Sequence, residues 1–136
     1  MMIAQNIRSF FKCMLCICLL SAVTVLYAQE KADALKLYRT GRSLDSAGRG
    51  EEARTAYSDA INVCLAELKQ NPRNMDSYTV YTWSLFRLHR YRETINICNE
   101  ALKLASDVRI IETLGEAYFY VNDYKESLRQ MERYID

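Results

Sequence analysis

The sequence predicts an all-α fold built from three antiparallel helix–turn–helix pairs, and three observations predict it. From Ala32 onward apolar residues recur three and four apart, the spacing of one helix face. Gly and Pro are scarce, 4 and 1 in 136 residues, so few hairpin turns are available. The breaks between apolar stripes carry turn and cap residues: Gly48-Arg49-Gly50, Asn71-Pro72, Ser106-Asp107 and Asn122-Asp123. A chain of this length is expected to make one domain around one core.

The first 28 residues differ in kind from the rest. Arg8 and Lys12 precede an uncharged apolar run from Cys13 to Leu26, which closes at Tyr27-Ala28 before the polar Gln29-Glu30-Lys31. A basic start, a short apolar middle and a small residue describe a secretory signal peptide over 1–28, with cleavage expected after Ala28. The alternative is an uncut anchor, the one case that puts the chain on a membrane; the run is shorter than the roughly 18 to 20 residues that span a bilayer. Lipidation at Cys18 is disfavoured because Ile17 is bulky at the place before an acylated Cys. The expected location is periplasmic or secreted, in a bacterial envelope.

The whole chain has 18 Lys+Arg against 17 Asp+Glu; without Arg8 and Lys12 the balance is 16 against 17, a net charge of −1. No field of one sign remains to attract nucleic acid or anionic lipid, and nucleic-acid binding has no support. Cys13, Cys16 and Cys18 fall in the leader, leaving Cys64 and Cys98 in residues 29–136. Two cysteines make no disulfide framework. Both sit among apolar neighbours, as buried free thiols do, with a single Cys64–Cys98 bridge the oxidised alternative.

Leu35, Tyr38 and Leu44 mark a first helix, and Ala53, Ala56, Tyr57, Ala60, Ile61, Cys64, Leu65 and Leu68 a second. Gly48 between them is the expected stop just past a helix, and Asn71-Pro72 ends the pair, since helices rarely run into a proline. Tyr78, Tyr81, Leu85 and Leu88 mark a third helix; Ile95, Cys98, Ala101 and Leu102 mark a fourth. Ser106-Asp107 offers a cap for a fifth through Ile110, Ile111, Leu114, Ala117, Tyr118 and Val121. Leu128, Met131 and Ile135 lie on a sixth. The pairs are expected at about 32–70, 73–105 and 107–136.

The pairs resemble one another. His89-Arg90-Tyr91-Arg92-Glu93 aligns with Asn122-Asp123-Tyr124-Lys125-Glu126, and Ala53 and Ala60 align with Thr94 and Ala101. The first pair carries Leu37, Gly41, Leu44, Ala53, Tyr57 and Ala60. The second carries Tyr78, Tyr81, Leu85, Thr94, Cys98 and Ala101, with Thr82 where Gly or Ala is usual. The third carries Ile111, Leu114-Gly115, Tyr118, Ser127 and Met131. Residues 32–136 thereby resemble the tetratricopeptide repeat, a helix pair of about 34 residues with a W-x2-L-G-x2-Y…A-x3-F…P pattern. Each motif is degenerate, but three in succession are specific. The resemblance implies a short right-handed α-solenoid in which small residues let two helix backbones approach. Ala53 and Thr94 are 41 apart rather than 34, about two extra helical turns, which predicts an elongated second helix through Ile61–Lys69.

In this family the first helices of successive pairs line a concave groove for a peptide or a helix. The resemblance therefore implies a lining of Leu35, Tyr38, Arg42 and Asp45, then Asp76, Thr79, Trp83, Phe86 and Arg87, then Arg109, Glu112, Glu116, Phe119 and Tyr120. Large aromatics beside Arg are common energetic anchors of interfaces, and Trp83 is the first choice among them. The competing reading is that Phe86 and Tyr120 pack between adjacent pairs and that the arginines are simply solvated. Family members that clamp a peptide's carboxylate use Lys and Asn; Tyr38, Arg42, Thr79 and Trp83 stand there, so chaperone-tail binding is not expected. Solenoids cover their last apolar face with a polar helix; without one, the expectation for Leu128, Met131 and Ile135 is that a second copy or an envelope complex covers them, or that the chain is a fragment of a longer repeat array.

No catalytic pattern emerges. His89 is the only histidine, in a turn beside three arginines with no paired acid or nucleophile. Glu112 and Glu116, four apart, make a weak cation site, and no phosphate loop or zinc spacing occurs. The expectation is a non-enzymatic, cofactor-free and metal-free protein that binds a protein or peptide, with a small-molecule receptor as a lesser alternative.

Overall fold

The computed structural model describes residues 33–135. The leader expected at 1–28, with its three cysteines, lies outside the described residues. Among the described residues there are six helices, in order α1 Ala34–Ser46, α2 Gly50–Gln70, α3 Met75–Arg87, α4 Tyr91–Leu104, α5 Val108–Tyr120 and α6 Tyr124–Ile135. None is long and apolar enough to cross a membrane. Each helix packs on the next, and the first helices of the pairs also touch, α1 on α3 and α3 on α5.

Local chemistry repeats with the architecture. Each first helix opens on a side-chain cap. Asp33 accepts from the Leu35 and Lys36 amides at 2.9 and 3.2 Å. Asn74 accepts from Ser77 at 3.3 Å and Asp107 from Arg109 at 3.0 Å, satisfying amides that lack a helical partner. Each first helix also ends alike, on a left-handed residue: Gly48 (φ 74°), His89 (φ 60°) and Asn122 (φ 65°). The next amide in each case closes back onto the helix: Arg49 to the Leu44 carbonyl, Arg90 to Leu85 and Asp123 to Tyr118, at 2.9, 3.0 and 3.0 Å. That closure satisfies exposed carbonyls at the helix end. His89 is thus an exposed turn residue, and its Nδ1 lies 2.6 Å from the Tyr91 hydroxyl.

The elongated helix is present. α2 has 21 residues against 14 in α4, seven more. The added turns place Ile61 and Cys64 in a core with Val80, Tyr81 and Leu85. They also bring Glu67 to the start of α3, where it accepts from the Ser77 hydroxyl at 2.6 Å. A second core joins Cys98 and Ala101 of α4 to Ile110 and Leu114 of α5. Both cysteines of the described residues are buried free thiols, so the bridged alternative does not form; burial pushes each thiol pKa up to about 12.

The close approach inside each pair is governed by matched sizes. A Cβ on Gly41 would lie 2.5 Å from the Tyr57 ring, and one on Gly115 would lie 2.7 Å from the Met131 methyl. At the equivalent place in the second pair Thr82 is fully buried, its hydroxyl donating to the Thr79 carbonyl at 3.0 Å, and the residue in the place of Tyr57 is the small Cys98. The bulkier residue on the first helix is thus balanced by a smaller one on the second, which accounts for Thr82 at a Gly or Ala position. Met131 is accordingly half-buried against Gly115. This corrects its expected place on a bare face, where Leu128 (61% exposed) and Ile135 (81%) do lie.

Candidate functional site

Because α1, α3 and α5 lie side by side, their outward side chains fall on one surface, which holds three recesses with shared walls. The first, about 490 Å3, is lined by Leu35, Arg39, Asp76, Trp83 and Arg109 among others. The middle one, about 420 Å3, is formed by Tyr38, Arg42, Trp83, Phe86, Arg87, Glu112, Thr113 and Glu116. The third, about 380 Å3, is bounded by Phe86, Glu116, Phe119, Tyr120 and Met131. Trp83 is common to the first two, and Phe86 and Glu116 to the last two.

The aromatics serve packing and surface together. Trp83, half-buried, lies 5.4 Å from the Tyr38 ring, which in turn lies 5.8 Å from Tyr57. Phe86 meets Tyr91 and Tyr120 edge-on at 5.3 and 5.4 Å, while Tyr91 and Tyr120 stack at 4.6 Å. Phe86 and Tyr120 therefore join the second pair to the third. Even so, Tyr120 stays 55% exposed and Phe119 57%. Thr79, expected in the lining, borders the first recess but is buried there, its hydroxyl donating to the Met75 carbonyl at 2.9 Å. Asp45 faces a separate hollow by the turns, with Arg54, His89 and Tyr91.

The three arginines are not equivalent. Arg87 donates to the Tyr57 hydroxyl at 3.3 Å and lies 3.5 Å from Asp45, while the Tyr57 hydroxyl itself donates to Asp45 at 2.7 Å. Arg109 bridges Asp107 at 2.6 Å and Asp76 at 2.9 Å, tying the start of α5 to the start of α3. Its guanidinium holds the Asp107 carboxyl below its usual range. Among the described residues Arg42 makes no such ion pair; it is exposed and lines the recess beside Tyr38. Across from it, Glu116 has its pKa raised by burial and then by its neighbour Glu112, while burial raises that of Tyr38. The middle recess thus has a basic wall on α1 and α3 and an acidic wall on α5. No cluster of three or more His, Cys, Asp or Glu able to hold a metal occurs among the described residues.

Sequence reasoning left out Thr113 and Tyr91, which complete the recess and the aromatic stack. Tyr91 and Tyr124 occupy the same turn position in successive pairs, and that alignment was the signal for a structural aromatic.

The sequence matches no family model and no curated protein. Solved structures do match. The second TPR of Spaghetti (RPAP3) bound to the HSP90 peptide SRMEEVD is 18% identical, covering 79% of this chain and 94% of that one at a TM-score of 0.57. The chain has the tetratricopeptide-repeat fold. The first TPR domain of the human RPAP3 protein agrees, with 24% identity, coverage of 75% and 76%, and a TM-score of 0.52. So does the TPR domain of Arabidopsis FLU, with 18% identity, coverage of 75% and 91%, and a TM-score of 0.51.

Proposed function

We propose that this protein is an exported, non-enzymatic interaction module that holds a peptide or helix of a partner protein in the groove around Trp83. The observation that carries the reading is the middle recess, to which all three pairs contribute: an aromatic floor between Arg42 and the carboxylates of Glu112 and Glu116. Such a site fits a segment with a large apolar side chain against Trp83, an acid facing Arg42 and a base facing Glu116. Opposite charges across a contact fix orientation and speed encounter, and desolvated aromatics supply most of the affinity. TPR structures that hold an HSP90 peptide support the use of this groove for peptides. Tyr38 and Trp83 at the clamp positions speak for a different sequence from a chaperone tail. Export rests on the leader alone.

The test is affinity capture from the envelope fraction with residues 29–136 as bait, wild type against Trp83→Ala. A partner retained by the wild type and lost by the variant, with an unchanged melting curve, supports the groove; equal capture by both rules it out.

A second reading, self-association through the end of the third pair, is favoured by the exposure of Tyr124, Leu128 and Ile135 at 57, 61 and 81%.

A further inference from the structure

The exposed side of α6 has a counterpart whose cover is visible. With an offset of 33 residues, Tyr124, Leu128, Met131 and Ile135 correspond to Tyr91, Ile95, Cys98 and Leu102 of α4. The α4 residues are buried or half-buried, because α5 lies over them: Tyr120 stacks on Tyr91, and Ile95 and Leu102 pack with Ile110 and Leu114. The α6 stripe is thus a helix-packing face by construction. Phe119 continues it, with its ring 5.4 Å from that of Tyr124.

The spacing of that stripe selects its occupant. Residues 124, 128, 131 and 135 alternate by four, three and four, the a and d positions of a heptad, and lie within about 60° of arc at 100° per residue. When a helix pairs antiparallel with its own copy, a positions meet d positions. Tyr124 then faces Ile135 and Leu128 faces Met131, each contact made twice about a two-fold axis. One flank of the stripe, through Ser127 and Gln130, is already buried against α5. The open flank carries Lys125 and Glu132, one turn-pair apart, exposed and without an ion-pair partner within the described chain. Antiparallel pairing sets Lys125 of one copy beside Glu132 of the other, also twice, so the charge pattern is complementary to itself. Head-to-tail stacking lacks this match, since the outward side of α1 presents Lys36, Arg39, Thr40 and Ser43 rather than an apolar face.

We infer that two copies of this chain pair tail to tail through antiparallel α6 helices, with Leu128 at the centre against the side of Met131 that its packing on Gly115 leaves half-exposed, and Lys125–Glu132 pairs at the rim. The inference rests on the self-association reading and adds its geometry. The symmetric contact closes at two copies; it draws on Phe119 and Met131 of the third recess and on none of the residues lining the two recesses that share Trp83. Two 12-residue helices bury an area at the low end of specific interfaces, under roughly 1,200 Å2, so the dimer dissociates on dilution.

Sedimentation equilibrium of residues 29–136 over a concentration series tests it. A concentration-dependent dimer is expected, lost in Leu128→Glu, whose side chain is exposed and whose melting curve should match the wild type. Lys125→Glu and Glu132→Lys each reverse two rim pairs and should weaken the dimer roughly tenfold, while the double variant should restore it. A wild-type monomer at every concentration overturns both the self-association reading and this geometry. A dimer that Leu128→Glu abolishes but the charge swap does not restore leaves self-association standing and overturns the antiparallel register. A dimer indifferent to Leu128→Glu overturns the use of α6.

Discussion

Gly41→Ala probes the contact that sets the distance between α1 and α2. The added methyl carbon would sit 2.5, 2.7 and 3.0 Å from Cε1, Cδ1 and Cζ of Tyr57, where carbon atoms prefer about 3.5 to 4.0 Å. The Tyr57 ring cannot yield easily. It is 1% exposed, and turning it breaks the 2.7 Å hydrogen bond to Asp45 and the 3.3 Å one from Arg87. The helices must therefore separate by about 1 Å. Overpacking of this kind costs about 1 to 3 kcal/mol, partly offset by about 1 kcal/mol from the better helix propensity of Ala. The net loss, up to about 2 kcal/mol, corresponds to a Tm lowered by as much as roughly 8 to 16 °C for a domain near 100 residues. Thermal unfolding followed by far-ultraviolet circular dichroism reads it. In a Tyr57→Cys background, which copies the Thr82–Cys98 pairing, the same Gly41→Ala change should cost nothing further. A Tm at or above wild type for Gly41→Ala alone would refute the steric argument.

Three further outcomes follow from the same structure. Gly115→Ala should shift Tm little, because the atom in its way is the end of the flexible Met131 side chain; a loss as large as that of Gly41→Ala would show that Met131 is locked. Cys64 and Cys98 should resist a thiol reagent at pH 8 until denaturant is added, their pKa being near 12. Their folded values lie above the unfolded 9.0, so the stability they contribute is full below pH 9 and falls as pH rises toward 12; rapid native labelling would contradict their burial. Asp107→Asn keeps a capping oxygen but removes the charge held by Arg109. Since the folded Asp107 pKa is lowered, its contribution is present above its unfolded value and lost as pH falls through the folded one. The gap between wild type and Asp107→Asn in urea melts should therefore be open at pH 7 and close in acid; a gap that widens in acid contradicts this.

The helix pairs and the long α2 were legible because their causes are local: apolar stripes, Gly48, Pro72, Asp107, and a 41-residue offset that keeps helical phase. The fate of individual site residues depends on partners distant in sequence. Nothing near Arg87 announces Asp45 and Tyr57, and nothing near Arg109 announces Asp76, so three arginines of equal appearance divide into two that are ion-paired and one that, among the described residues, is not. Phe86 lines the groove, but its second role, packing against Tyr91 and Tyr120 from the next turn and the next pair, has no local sign. Met131 looks bare until Gly115, sixteen residues earlier, provides the hollow that its methyl fills.

Trp83 is the only tryptophan in the chain and lines the recess proposed to receive the partner, so its fluorescence reports directly on the groove. Titrating residues 29–136 with the captured partner's binding segment should give a saturable change in that emission, with the same midpoint as calorimetric binding and a weaker midpoint in Arg42→Ala. Calorimetric binding with no change in Trp83 emission and no effect of Arg42→Ala would place the partner elsewhere and contradict the account.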